Sequence, residues 1–144
     1  MTSKYFPIHT DTACPLKWNW STLYLNTGVT RSCHRTAESQ LTPENFSNFH
    51  NTDLKIADRK QMLNGQWPEN NCGYCREIED AGGVSDRQRQ LTIPYALPQE
   101  LVDNNSAVSV SPTLLEVYFS NACNLGCLYC SPQLSSTISA ENIK

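Results

Sequence analysis

An α+β fold is predicted for this chain: a small cysteine-rich unit made of a β-hairpin and short helices, followed by a single strand and loop that open a second unit. Three observations carry it. Strand formers at Trp20-Ser21-Thr22-Leu23-Tyr24-Leu25 face Val29-Thr30-Arg31-Ser32 across Asn26-Thr27-Gly28, which reads as a tight turn. Helix start and stop signals flank residues 52–64 and 72–83. A lone apolar stretch, Thr113 to Phe119, follows a segment holding three of the eight prolines.

Composition sets the frame for these elements. The chain has 144 residues, and 39% are apolar, against about 45–50% in a typical soluble domain. A purely hydrophobic core would be thin, and seven cysteines point to cross-links, either disulfides or metal bonds, as the missing cohesion. The segment Met1 to Asp11 lacks the apolar core of a secretory signal, and no apolar run approaches the ~20 residues of a membrane span. The expected home is therefore a reducing cytoplasm, where cysteines bind metal or do chemistry. A net charge of −3 with 17% charged residues supplies no basic field for nucleic acid.

Taken in order, the hairpin ends at Cys33. Thr42-Pro43-Glu44 predicts a helix start leading into Asn45 to Phe49. Asn51 or Thr52 caps a longer helix that Asp53 favours through the dipole. On it Leu54, Ile56, Ala57, Gln61 and Leu63 outline a partly apolar stripe before Asn64-Gly65. After Trp67-Pro68 comes Cys72-Gly73-Tyr74-Cys75, on the first turn of a helix that Gly82-Gly83 closes. The second strand runs from Thr113 to Phe119, and Ser139 is the expected cap of a final helix.

Two cysteine constellations follow. A helix N-terminus favours thiolate over thiol, so Cys72 and Cys75 form a half-site that Cys14 and Cys33, bracketing the hairpin, would complete. Four thiolates suit a structural Zn²⁺ or an iron–sulfur cluster, and spacing does not separate the two. A redox dithiol or unrelated buried cysteines are the plainer readings, and His34 is a possible substitute ligand beside Cys33. The other three, Cys123, Cys127 and Cys130, fall in a C-x3-C-x2-C loop directly after the strand. Such a loop can hold three corners of a [4Fe–4S] cluster and leave the fourth iron open; three ligands of a zinc site completed from elsewhere is the alternative.

The motif Cys123-Asn124-Leu125-Gly126-Cys127-Leu128-Tyr129-Cys130 resembles the signature of the radical S-adenosylmethionine (radical SAM) superfamily, an aromatic residue before the last cysteine included. Asn124 resembles the branch whose members carry additional clusters. The stretch from Cys14-Pro15-Leu16 through Arg31-Ser32-Cys33-His34 and Met62 to Pro68, on to Cys72 to Cys75 and Glu79 to Gly83, resembles an auxiliary-cluster segment of the twitch or SPASM type. It departs from many relatives at Ser32-Cys33-His34, where paired cysteines are common.

The resemblance implies a fold and a chemistry. Residues 1–91 would be the auxiliary-cluster domain, 92–112 a connecting segment, and 113–144 the start of a truncated (β/α) TIM-like radical SAM barrel. Cys123, Cys127 and Cys130 would ligate the [4Fe–4S] cluster that binds S-adenosylmethionine, with Tyr129 near its adenine. Cys14, Cys33, Cys72 and Cys75 would fill an auxiliary [4Fe–4S] cluster that relays electrons or holds the fold. The full-length enzyme would take electrons from a donor such as a flavodoxin or ferredoxin and cleave S-adenosylmethionine reductively. The resulting 5′-deoxyadenosyl radical would abstract hydrogen from a peptide or small-molecule substrate. A β/α unit takes roughly 30 residues, so most of the barrel is expected to lie outside this stretch, which by itself is expected to be inactive. Two functions of other classes remain open: a non-catalytic zinc-binding interaction module with four cysteine ligands, and a two-cluster electron carrier that uses no S-adenosylmethionine.

Overall fold

The hairpin forms where alternating strand residues meet a glycine able to turn. In a computed structural model, which describes residues 4–69, 71–128 and 130–141, β1 (Trp20–Tyr24) pairs antiparallel with β2 (Val29–Arg31). Gly28 sits at φ 67°, donates its N–H to the Tyr24 carbonyl at 2.8 Å and has the Gln40 side chain where a Cβ would point. The short β3 (Ser39–Gln40) extends the sheet beyond β2. On the other side β4 (Leu114–Tyr118) pairs parallel with β1 over five residues, giving the order β3-β2-β1-β4. The Tyr24 and Tyr118 rings stack across that ladder at 4.7 Å. The result is an α+β fold around a small mixed sheet.

Helices supply the rest: α1 (Leu16–Asn19), α2 (Asp53–Leu63), α3 (Gly73–Asp80), α4 (Asp86–Gln90), α5 (Gln99–Asn104) and α6 (Ser136–Glu141). Thr52 caps α2 by accepting the Lys55 N–H, one of the two expected caps. The inward face of α2 is Lys55, Asp58, Arg59 and Met62, whereas Ala57 is exposed, so the expected apolar stripe is corrected to a mainly charged one. The helix expected from Thr42 reduces to a 3₁₀ turn at Phe46–Asn48, because the Asn45 side chain takes the Thr42 N–H at 2.7 Å and competes with helical bonding. Ser139 lies inside α6; Ser135, buried, accepts the Ile138 N–H and occupies the capping place instead. The α4 helix, opened by a Ser85/Gln88 capping box, has no counterpart among the sequence expectations.

The core gathers Phe6, Ile8, Leu16, Trp18, Met62, Leu91, Leu101 and Val110. Trp18 is fully buried, edge-on to Phe6, and its indole N–H donates to the Ser106 carbonyl at 2.7 Å. A polar chain fills what the apolar residues leave. Lys55 Nζ donates to Ser21 Oγ, Thr30 Oγ1 and the Phe49 carbonyl at 2.7–2.8 Å, tying α2 to both hairpin strands. Arg59 directs its guanidinium to the carbonyls of Lys17, His50 and Ala107 and to Asn51 Oδ1. No helix among the described residues is long and apolar enough to cross a membrane.

Candidate metal centre

Three separate segments deliver Cys14, Cys33, Cys72 and Cys75 to the wall of one cavity of about 30 Å³. Cys14 stands directly before Pro15, which opens α1, and its carbonyl accepts the Lys17 N–H at 3.0 Å. Cys33 follows β2 in a turn that Thr36 closes, its N–H and hydroxyl both donating to the Cys33 carbonyl. Cys72 is the N-cap residue of α3 and Cys75 lies in the first turn, as the spacing predicts.

A buried network fixes these segments to one another. Lys17, three residues after Cys14, forms an ion pair with Asp58 of α2, both almost wholly buried. Asn71, immediately before Cys72, donates its amide to both Asp58 oxygens at 2.9 Å, and its own carbonyl oxygen accepts the Ala37 N–H at 2.9 Å from the loop after Cys33. Arg87 adds a second clamp: it donates to the Ala13 carbonyl at 3.0 Å, forms a two-pronged ion pair with Glu79 of α3 and faces the Trp67 ring. Arg35 stacks on the Tyr74 ring at 3.6 Å and pairs with Asp86 at 2.9 Å.

Electrostatics at the thiols are a contest between burial and these neighbours. Desolvation pushes the Cys14 thiol up to about 12 and the Cys72 thiol up to about 11, and raises Cys33 as well. Opposing it, the backbone N–H of Leu16 favours thiolate at Cys14 and that of Arg35 does so at Cys33, and the Lys17 charge favours thiolate at Cys14, Cys33 and Cys72. All four cysteines are free thiols. Soft sulfur donors are the donor chemistry that a thiophilic metal takes. Among the described residues no three His, Cys, Asp or Glu side chains converge at the spacing of bound ligands, so the four thiols share a cavity wall without meeting at one point. His34 is exposed, lies edge-on to Trp20 at 5.3 Å and is not among the residues that line the cavity.

The second constellation leaves the C-terminal end of β4. Cys123, Cys127 and Cys130 are partly exposed free thiols, and Tyr129 lies outside the described residues. Their loop is laced to the start of α6: Cys123 N–H donates to Ser136 Oγ at 3.1 Å, Thr137 Oγ1 to the Cys123 carbonyl at 2.6 Å, and Ser135 Oγ to the Leu125 carbonyl at 3.2 Å. Within it, Leu125 N–H reaches Cys123 Sγ at 3.5 Å and Cys130 N–H the Cys127 carbonyl at 3.0 Å.

Comparison with family models, with curated proteins and with solved structures returned no match. The geometry itself adds residues that the cysteine spacing does not reveal: Lys17, Arg35, Asn71 and Arg87 all line the cavity. Of these, Lys17 and Asn71 carry a signal in the sequence, one a helical turn after Cys14 and the other adjacent to Cys72.

Proposed function

We propose that this chain is part of a radical SAM iron–sulfur protein of the auxiliary-cluster type. Cys123, Cys127 and Cys130 would hold the cluster that binds S-adenosylmethionine, and Cys14, Cys33, Cys72 and Cys75 an auxiliary metal centre. The observation that carries the reading is the shared cavity: four cysteines from three segments line it, with a buried Lys17–Asp58–Asn71 network bracing them. The strand-then-loop placement of the C-x3-C-x2-C motif, at the C-terminal end of a parallel strand, supports the catalytic half. The chemistry supplied there, with cluster and cosubstrate bound, is one-electron reductive cleavage of S-adenosylmethionine, directed at a peptide or small-molecule substrate. The protein's own share is to orient, to exclude water and to set the potential through N–H groups and charge near sulfur. The reading carries with it a cytoplasmic setting, a flavodoxin- or ferredoxin-type electron donor, and β4 as the first strand of a barrel.

The small cavity favours a second reading at the four-cysteine site. About 30 Å³ is room for one water-sized occupant, which suits a single Zn²⁺ and hence a structural zinc module with four thiolate ligands. Anaerobic reconstitution followed by iron, sulfide and zinc analysis separates the two. The iron–sulfur reading expects about eight irons per chain from two four-iron clusters, and a colourless protein with one zinc and no iron overturns it. The catalytic half has its own readout: the electron paramagnetic resonance spectrum of the reduced protein shifts on adding S-adenosylmethionine, and replacing Cys123, Cys127 and Cys130 by Ala abolishes the shift.

A further inference from the structure

A second cavity, of about 410 Å³, falls in the size range of small-molecule sites and shares no lining residue with the four-cysteine one. The hairpin supplies one part of its lining: Tyr24 ends β1, Arg31 ends β2, and Glu38 stands directly before β3. Ser131, Gln133 and Leu134 supply another, from a turn after Cys130 in which the Leu134 N–H donates to the Ser131 carbonyl at 3.0 Å. A cation and a carboxylate stand side by side in this lining, since Arg31 and Glu38 are ion-paired. The Arg31 guanidinium lies 5.7 Å from the centroid of the Tyr24 ring and donates to the His34 carbonyl at 3.3 Å, so it is held in place before any ligand arrives. Its Nε is buried without a partner, which leaves the group with bonding capacity unspent.

Such a lining selects by charge. An anion alone gains Arg31 but meets Glu38, and a cation alone meets the reverse conflict. A zwitterion satisfies both. Because the two protein charges are in direct contact, the charges of the ligand must be close as well, as they are across the single Cα of a free amino acid and are not at the two ends of a peptide. The pair is part-exposed, 27% and 47%, so its own contribution is small and a ligand gives up little by engaging it. Tyr24 and Leu134 supply the apolar part of the lining. We infer that this cavity binds a free α-amino acid with an apolar or aromatic side chain, its carboxylate on Arg31, its ammonium on Glu38 and its side chain toward Tyr24 and Leu134. The inference goes beyond the proposed function by placing a small-molecule ligand against Ser131, the residue next to Cys130, and it requires neither metal reading.

The full chain is titrated at neutral pH with L-phenylalanine and with L-leucine by isothermal calorimetry, and at least one is expected to bind saturably with a Kd of about 1 mM or tighter. The N-acetyl form of the tighter ligand lacks the ammonium and its amide lacks the carboxylate; each is expected to bind about tenfold more weakly, as the loss of a charge-assisted bond implies. Glu38→Gln weakens the free amino acid about tenfold and leaves the N-acetyl form unchanged or tighter, a difference that loss of folding does not produce. Arg31→Gln does the converse and spares the amide. Glu38 is about half-exposed, so its variant keeps the fold even if that of Arg31 does not. Absence of saturable binding by both amino acids overturns the inference, as does equal weakening of the free and N-acetyl forms by Glu38→Gln. In the wild type, an N-acetyl form that binds as well as the free amino acid marks a plain anion site, and an amide that does so marks a plain cation site; either result overturns it too.

Discussion

Asn71 donates its side-chain amide to both carboxylate oxygens of Asp58 at 2.9 Å, inside the protein and one residue before Cys72. The same side chain accepts the Ala37 N–H, so one residue joins α2, the Cys33 loop and the start of α3. Asn71→Ala leaves Asp58 with fewer partners in a buried position. We expect a loss of about 1–3 kcal/mol of stability, measured by urea unfolding of the metal-free chain, with m unchanged. A loss below about 0.5 kcal/mol, the scatter of ordinary surface substitutions, would show that the network does not brace the site.

Metal binding at the four-cysteine cavity is expected to depend steeply on pH. Burial holds the thiols of Cys14 and Cys72 at about 12 and 11, so both keep their protons at neutral pH until a metal displaces them. Each displaced proton makes the apparent affinity rise about tenfold per pH unit below the thiol value, so these two residues together with Cys33, which burial also raises, give about a thousandfold between pH 6 and pH 7. Zn²⁺ competition titrations at the two pH values check this, and a pH-independent affinity would contradict it.

Acid stability should trace to His50. Its Nε2 bonds the Trp18 carbonyl at 2.8 Å and its Nδ1 the Ser21 hydroxyl at 2.7 Å, while Ser21 accepts from Lys55. One direction satisfies the whole chain: Lys55 donates to Ser21, Ser21 to Nδ1, and a neutral ring donates from Nε2 to the carbonyl. Burial first, then the charges of Arg59 and Lys55, push the imidazole down to about 3. Between pH 3 and 6.5 the unfolded chain binds the extra proton, so stability rises with pH across that window and is lost on acidification. One proton gives a slope of about 1.4 kcal/mol per pH unit. Unfolding free energies of His50→Gln compared with the wild type over this range should lack that component.

At the β1–β4 seam, Glu116 accepts from Thr22 Oγ1 and from the Tyr118 hydroxyl, both at 2.9 Å. That hydrogen bond, with burial and the nearby negative charge, raises the Tyr118 phenol to about 12. Glu116→Gln removes the charge and is expected to bring the Tyr118 titration back toward 10, read by the ultraviolet absorbance of phenolate. An unchanged titration would assign the shift to burial alone.

Local signals were legible in the sequence, and long-range polar ones were not. The hairpin, the Thr52 cap and the placement of Cys72 and Cys75 rest on residues within a few positions of one another, where turn and capping chemistry act directly. The inward face of α2 escaped because Lys55, Asp58 and Arg59 look like a solvated face until Ser21, Asn71 and Ala107 arrive from distant segments to pair with them. The cations at the cavity escaped for the same reason: Arg35 meets Asp86 only after the chain has folded back across 51 positions. The cysteine spacing was readable in the sequence, whereas the gathering of Cys14, Cys33, Cys72 and Cys75 around one cavity depends on the long-range contacts that bring their three segments together.

The parallel ladder between β1 and β4 sets an order of assembly. Thr22 and Glu116, partners in it, are 94 positions apart, whereas the β1–β2 hairpin closes over a four-residue turn. A hairpin forms in about 1–10 μs from neighbouring residues, but a strand pairing of such separation waits until the intervening chain has been gathered. The hairpin is thus expected to precede the β1–β4 ladder, and the loop bearing Cys123, Cys127 and Cys130 to reach its place only when β4 docks on β1.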